Sequence, residues 1–303
     1  MKRTSEFKDY GTLYLISTPI GNLGDFSKRA IETLKTLDFL FCEDTRVTHK
    51  LLSHYDIMLE CDSYHDHSDE SKEDKIIGML KDGKNVGLVS DSGTPIISDP
   101  GFEIVRKAID NSIRVIPIPG ATAQVTALTL SALPPKPYLY YGFLDHNDKK
   151  KKEELESLKD FEFTMVFYES PLRIKNTLSL MYKIFGERKA TVSRELTKIY
   201  EETIYLNLSE FSDFPENLKG EMVLVVEGKS KEEINNEINV MDEMNKLIER
   251  GLSIKEASKT IAKKYNLKSS EIYNDYVKER KWKYWHSLRM EPKIVNSLPL
   301  LIY

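Results

Sequence analysis

Val86-Gly-Leu-Val-Ser-Asp91-Ser-Gly93-Thr-Pro95-Ile-Ile-Ser98-Asp99-Pro100-Gly101 is the stretch whose reading decides the fold. Val86, Leu88 and Val89 form a short apolar run of the kind a buried strand carries. The run stops at Asp91, and Gly, Thr and Pro follow at once. Ser98-Asp99-Pro100 then offers a capping side chain with proline in a first helical turn. A strand that ends on a carboxylate and turns through glycine toward a helix leaves polar groups at the carboxyl edge of a sheet. Open α/β sheets bind ligands at that edge. Alone, the stretch is equally an ordinary βα turn, for which Asp, Gly, Ser and Pro are common residues.

Repetition separates the two readings. A strand over 13–17 breaks at Thr18-Pro19-Ile20-Gly21-Asn22, one over 38–42 ends at Glu43-Asp44-Thr45-Arg46, and one over 113–118 closes on Pro119-Gly120-Ala121-Thr122. Helices are expected over about 23–37, to about 54, over 69–82 and over 100–111, with a short extended piece ending at 63–67. Strictly alternating strands and helices predict a parallel sheet, so the four polar loops share one edge and converge on one cleft. Gly93 and Gly120 let backbone groups approach a ligand closely, which favours a small-molecule pocket.

The rest of the chain divides by composition. Leu133-Pro134-Pro135-Lys136-Pro137 fits neither a helix nor a central strand and reads as a linker. Strands are expected at 138–143, 163–168, 190–196, 202–208 and 221–226, with helices at about 149–159 and 171–185. Their late, consecutive placement predicts a mixed sheet. Residues 238–280 read as three short helices, with Gly251 at a C-terminal cap and Ser253-Ile-Lys-Glu256 as a capping box. The expected domains are therefore 11–132, 137–229 and 238–281, followed by an unassigned tail over 282–303 and preceded by a polar, disordered segment over 1–10.

At 303 residues and 40% hydrophobic composition the chain can build real cores. It has no apolar run of membrane-spanning length and no signal-peptide core, so the cytoplasm is the expected compartment. Two cysteines without a CxxC spacing suggest neither a disulfide framework nor a thiolate metal site. His65-Asp66-His67 lacks a third ligand nearby, so it reads as a polar loop and no metal is expected. The net charge of −4 is unevenly spread: residues from 240 onward hold 13 Lys/Arg against 8 Asp/Glu, the remainder 31 against 40. Basic charge gathered at one end suggests a polyanionic partner there. The absence of G-x-x-x-x-G-K-[ST], and of the first glycine of G-x-G-x-x-G at Gly21–Gly24, argues against a nucleoside triphosphate or dinucleotide. Lys149–Lys152 reads as a solvated helix start, Ser170-Pro171 as a helix cap and Arg194-Glu195 as an internal ion pair.

Ser17–Asp25, Cys42–Arg46, Ser90–Pro95, Ile97–Gly101, Pro119–Ala123, Phe167-Tyr-Glu-Ser-Pro171 and Arg194-Glu-Leu-Thr-Lys198 together closely resemble the ribosomal RNA small subunit methyltransferase I family, across roughly residues 11–228. The resemblance implies a two-domain tetrapyrrole-methylase fold, S-adenosylmethionine as donor, and the 2'-hydroxyl of a 16S rRNA cytidine in the decoding region as acceptor. It also implies a homodimer. Its donor contacts carry over to Pro19, Asp91, Gly93, Thr94, Gly120, Ala121 and Thr122, with Tyr168 and Leu196 from the second domain. Three positions depart from the pattern: Ser92 stands for the usual Ala, Leu172 for the usual His, and Asp145-His146 for the usual Pro-Arg. A ribose hydroxyl must lose its proton, so carboxylates at strand ends (Glu43 first, then Asp44 and Glu169) are the base candidates, with Lys198 a further catalytic candidate. Arg46, Arg194 and Lys198 suit phosphates or structural ion pairs, and Arg46 and Arg194 are the substrate-binding candidates. Two rival functions stay open at this point: a small-molecule methyltransferase of the same fold, and a non-catalytic RNA-binding factor that kept the cleft.

Overall fold

The computed structural model describes residues 7–65, 70–230, 240–265 and 267–287. Residues 1–229 form one compact unit and the chain from 230 onward forms a second. Within the first unit, β1 (Thr12–Ile16), β2 (Phe39–Cys42), β3 (Cys61–Ser63), β4 (Val86–Val89) and β5 (Arg114–Ile118) make a sheet of order β3-β2-β4-β1-β5. Every pair in it is parallel, as alternation of strand and helix requires.

The period-two pattern of the strands sorts the helices onto two faces. Leu13, Phe39, Phe41, Val86 and Leu88 point to one side, where α3 (Glu70–Lys81) and α4 (Phe102–Asp110) bring Ile76, Ile77, Leu80, Ile104 and Ala108. Ile16, Leu40, Cys42, Val89 and Ile118 point to the other, under Ala30 and Leu34 of α1 (Lys28–Leu34) and Leu52 of α2 (Thr45–His54). Chain order then fixes the ligand edge. The connection leaving β2 runs outward to β3 and the one leaving β4 runs the other way to β5, so they part between these two adjacent strands. That divergence opens the crevice at which doubly wound sheets bind ligands.

The second sheet has β6 (Tyr138–Phe143), β7 (Thr164–Glu169), β8 (Lys189–Arg194), β9 (Glu202–Asn207) and β10 (Met222–Val226) in the order β6-β7-β10-β8-β9. It is mixed: β6 and β7 are parallel, the other pairs antiparallel. α6 (Asp148–Leu158) and α7 (Ile174–Phe185) cover one face through Leu155, Ile174, Leu178 and Met181. The other face receives α5 (Ala123–Leu130), whose Ala127 and Leu128 share a core with Ile20, Val166, Leu196, Val223 and Val225. This shared core joins the two α/β halves into one unit. In the second unit α8 (Val240–Glu249), α9 (Ile254–Tyr265) and α10 (Ser269–Ser287) pack around Met244, Ala257, Ile261, Ile272 and Tyr276. Gly251 closes α8 at φ 94°, and Ser253 and Glu256 make the reciprocal capping bonds (3.0 and 3.3 Å).

Several expectations need correction. The single helix over 23–37 is a 3-10 turn (Leu23–Asp25) followed by α1, because Asn22 and Ser27 each cap a separate start, accepting from Gly24 and Ala30. Ser98-Asp99-Pro100 does not cap α4, which begins at Phe102 behind Gly101. Ser98 instead lies at φ 64°, outside the extended region a cap needs, and its hydroxyl is 2.6 Å from that of Tyr140. Ser170-Pro171 forms a turn whose Ser170 carbonyl accepts from Arg173 and Ile174, and α7 starts only at Ile174. Arg194 and Glu195 do not pair: Arg194 reaches its cross-strand partner Glu202 (2.6 Å), while Glu195, at φ 50°, turns away to Lys198 (2.9 Å). The extended piece expected to end at 63–67 is β3, ending at Ser63. Residues 7–10 are held, with Lys8 N–H donating to Ser112 and Tyr10 packed on the core of the first sheet. The third C-terminal helix is long and runs through Ser287. Asp66, His67, residues 1–6 and residues 288–303 of the tail lie outside the described residues.

Candidate active site

Local sequence builds the crevice before any side chain reaches into it. Where β1 and β4 end, Thr18 and Gly93 form a two-way backbone bridge, N–H to O 2.8 and 3.2 Å. Ser17 and Thr94 hydroxyls meet at 3.0 Å, and Thr94 also donates to the Ala121 carbonyl at 3.3 Å. Three of the four predicted loops are thereby tied together. Gly120 is required in this seam: a Cβ there would stand 2.8 Å from the Cβ of Ser17.

Over this edge sits a cavity of about 400 Å³, a size suited to a small-molecule ligand. Its floor is Asp91, Ser92, Gly93 and Thr94 with Ile20, Glu43 and Thr122; its roof is Phe143, Tyr168, Leu196, Lys198 and the segment Gly220–Val223 that leads into β10. Asp91 accepts the Asp44 backbone N–H at 2.9 Å, and burial pushes its carboxyl above the ordinary carboxylate value despite that bond. Tyr168 meets Tyr140 and Phe143 edge-on, each at 5.3 Å between centroids. Burial drives the Tyr168 hydroxyl well above the usual phenol value, so it stays a donor at any physiological pH.

Asp91, Gly93, Thr94, Thr122, Tyr168, Leu196, Glu43 and Lys198 all line this one cavity. Pro19, Gly120 and Ala121 do not; Gly120 and Ala121 stand in the seam just described. Arg46 and Arg194 also lie off the lining, each occupied by a carboxylate. Arg46 and the backbone N–H of the same residue hold Asp44, the cap of α2, and bring its carboxyl down to about 2. Asp44 is therefore a cap rather than a base.

Glu169 is withdrawn from base duty too. One of its oxygens accepts from the Ser170 N–H (2.8 Å) and Arg173 (2.7 Å); the other accepts from Thr177 (2.6 Å). Lys151, 1% exposed, completes the cluster 3.2 Å from the Thr177 hydroxyl and 3.8 Å from Glu169. The lysine run 149–152 is thus not a solvated face throughout. The sequence carried a signal for this: Lys151 keeps helical spacing with Leu155 and Leu158 on the buried face of α6.

Sequence reasoning also missed Ser98, Asp99, Phe143 and Glu195 as cavity residues. The two non-glycine left-handed residues Ile96 and Ser98 (φ 79° and 64°) fold the loop after β4 back over the crevice. Lys198 is tied to Glu195, and its stem packs so closely on Gly21 that a Cβ there would come within 2.4 Å of the lysine Cγ. Among the described residues no cluster of three or more His, Cys, Asp or Glu side chains is arranged to hold a metal. No helix of the described residues is long and apolar enough to cross a membrane.

Comparison with known proteins agrees with this geometry. The family model for tetrapyrrole (corrin/porphyrin) methylases matches residues 12–212. The chain is 46% identical over 276 residues to ribosomal RNA small subunit methyltransferase I of Bacillus subtilis (strain 168), covering 88% of this chain and 94% of that one. It is 44% identical over 278 residues to the protein of the same name from Halalkalibacterium halodurans, covering 89% and 96%. Among solved structures, uroporphyrin-III C-methyl transferase from Thermus thermophilus, complexed with S-adenyl homocysteine, superposes with a TM-score of 0.51 at 16% identity, over 72% of this chain and 97% of that one.

Proposed function

We propose, for a chain that belongs to the ribosomal RNA small subunit methyltransferase I family and to the tetrapyrrole methylases, that the cavity binds S-adenosylmethionine and that methyl transfer there is to the 2'-hydroxyl of a cytidine ribose in the decoding region of 16S rRNA. The observation that carries the reading is the character of the lining. Carboxylates (Glu43, Asp91, Asp99, Glu195, Glu221) surround an apolar and aromatic wall, and the lining's lysine is tied to Glu195. Such a site fits a compact cationic ligand with an apolar body and disfavours a polyphosphate.

S-adenosylmethionine, when bound, supplies a methyl group on a positively charged sulfur. The chain's own residues do the rest. Asp91, held by the Asp44 N–H, sets negative charge at the crevice. The Gly93–Thr94 turn and Thr122 bring backbone and hydroxyl groups to the floor, while Tyr168 lines the roof. Orientation of two reactants in one cleft can itself supply much of the acceleration. Glu43, at the carboxyl end of β2, takes the proton of the attacking hydroxyl, worth ~10²–10⁴-fold for a placed general base. Lys198 is a second, cationic group on the same wall. A cytoplasmic homodimer accompanies this reading.

The test has two arms. Titration calorimetry with S-adenosylmethionine is expected to give saturable binding. Labelled methyl is then expected to pass to small ribosomal subunits from a strain lacking the modification, at a single cytidine. Donor binding without transfer to subunits would favour a small-molecule methyltransferase of the same fold. Absence of donor binding would leave a non-catalytic factor.

A further inference from the structure

We infer that Lys255, Lys259 and Lys263, a row along α9, form a docking surface for the phosphate backbone of folded RNA, an inference that rests on the rRNA reading above. The row follows from helix geometry. Residues four apart lie one above another, about 6 Å along the axis per step. α9 buries Ala257, Ser258, Ile261 and Ala262 in the core of its unit, which turns the three lysines to solvent, and all three are exposed.

Ordinary surface lysines are balanced by nearby acids, and four acids of this unit are engaged by other groups. Glu243 takes Lys264 (2.9 Å) and the Tyr265 hydroxyl (2.6 Å); Glu271 takes Lys268 (3.0 Å); Asp275 takes Lys278 (3.9 Å). Glu256 feels Lys259 electrostatically, but its carboxylate accepts from Ser253 in the capping box. Among the described residues no ion pair engages Lys255, Lys259 or Lys263.

What remains is a row of three lysines whose repeat along the helix axis, about 6 Å, is close to that of neighbouring phosphates on one polynucleotide strand. Ammonium groups are point charges without the planar fork that reads base edges, so the surface is suited to backbone contact and not to sequence readout. Each lysine that meets a phosphate releases a counterion, which gives the contact a characteristic salt dependence.

The test uses the full chain carrying K255Q/K259Q/K263Q, since glutamine keeps helix propensity near that of lysine. Binding of a labelled double-helical rRNA fragment is measured across a salt series, beside methyl transfer to small subunits. The slope of log affinity against log salt is expected to become shallower by about 2–3, at ~0.7–0.9 per lost contact, with affinity down by about tenfold at low salt. The arginine triple variant is expected to restore both. An unchanged slope and affinity in the glutamine variant would overturn the inference. RNA binding decides the lysine row even where methyl transfer fails, so failure of the row and failure of the rRNA reading give different results.

Discussion

Glu43 and Asp91 stand just past the ends of adjacent strands and line one cavity, yet they should respond differently to loss of charge. Glu43→Gln removes a base and keeps the shape, so kcat should fall by ~10²–10⁴-fold with donor affinity little altered, read by single-turnover transfer and calorimetry. Asp91→Asn can still accept the Asp44 N–H but no longer offers charge to a cation, so the loss should fall on donor affinity. Its stability effect has a defined sign. Burial raises the Asp91 pKa in the folded state, so between the ordinary and the raised value the native protein holds a proton that the unfolded chain releases. Folding stability from this group is therefore present below the ordinary carboxylate pKa and lost as pH rises through the raised one. At neutral pH Asp91→Asn should leave Tm equal or higher, and a clear drop in Tm would contradict the assignment. Asp44 has the opposite sign: its pKa of about 2 makes its contribution present above the ordinary value and lost as acid approaches that figure.

Helices and strands transmit this order through a few buried polar links. Lys151 on α6, Glu169 on β7 and Thr177 on α7 join three elements beneath the cavity wall. Removing the anion strands two cations, so Glu169→Ala should cost about 3–5 kcal/mol by denaturant melts. Lys151→Met should cost much less, because Arg173 and Thr177 still serve Glu169. The turn after β8 is a second link. Gly220 lies at φ +90°, and a Cβ there would sit 2.0 Å from Glu195 Oε1. Gly220→Ala must both strain the backbone and displace Glu195 from Lys198, so a loss of roughly 1–3 kcal/mol is expected, together with weaker donor binding.

At the scale of the molecule, the cavity is lined wholly by residues of the unit that ends at 229, and the C-terminal helices have a core of their own. Ile261, fully buried in that core, should cost about 2–5 kcal/mol of the helical unit's stability when cut to Ala. Scanning calorimetry should show that unit's transition shifting down while the main transition and donor affinity stay in place. A single transition moving as a whole would mean the two units unfold together.

Local pattern was enough for the parallel sheet, its alternation with helices, the mixed second sheet and the converging loops, because period-two burial and strand-end turns are written in neighbouring residues. The motifs from Ser17 to Lys198 were enough for the family, and with it the donor. Separation in the chain hid the rest. Whether Lys151 meets water or Glu169, whether Ser98 caps a helix or bonds Tyr140, and whether Glu169 is engaged by cations depend on groups up to dozens of residues away. A charged side chain's partner is chosen by distance and desolvation in the packed state, and only the tertiary structure supplies either.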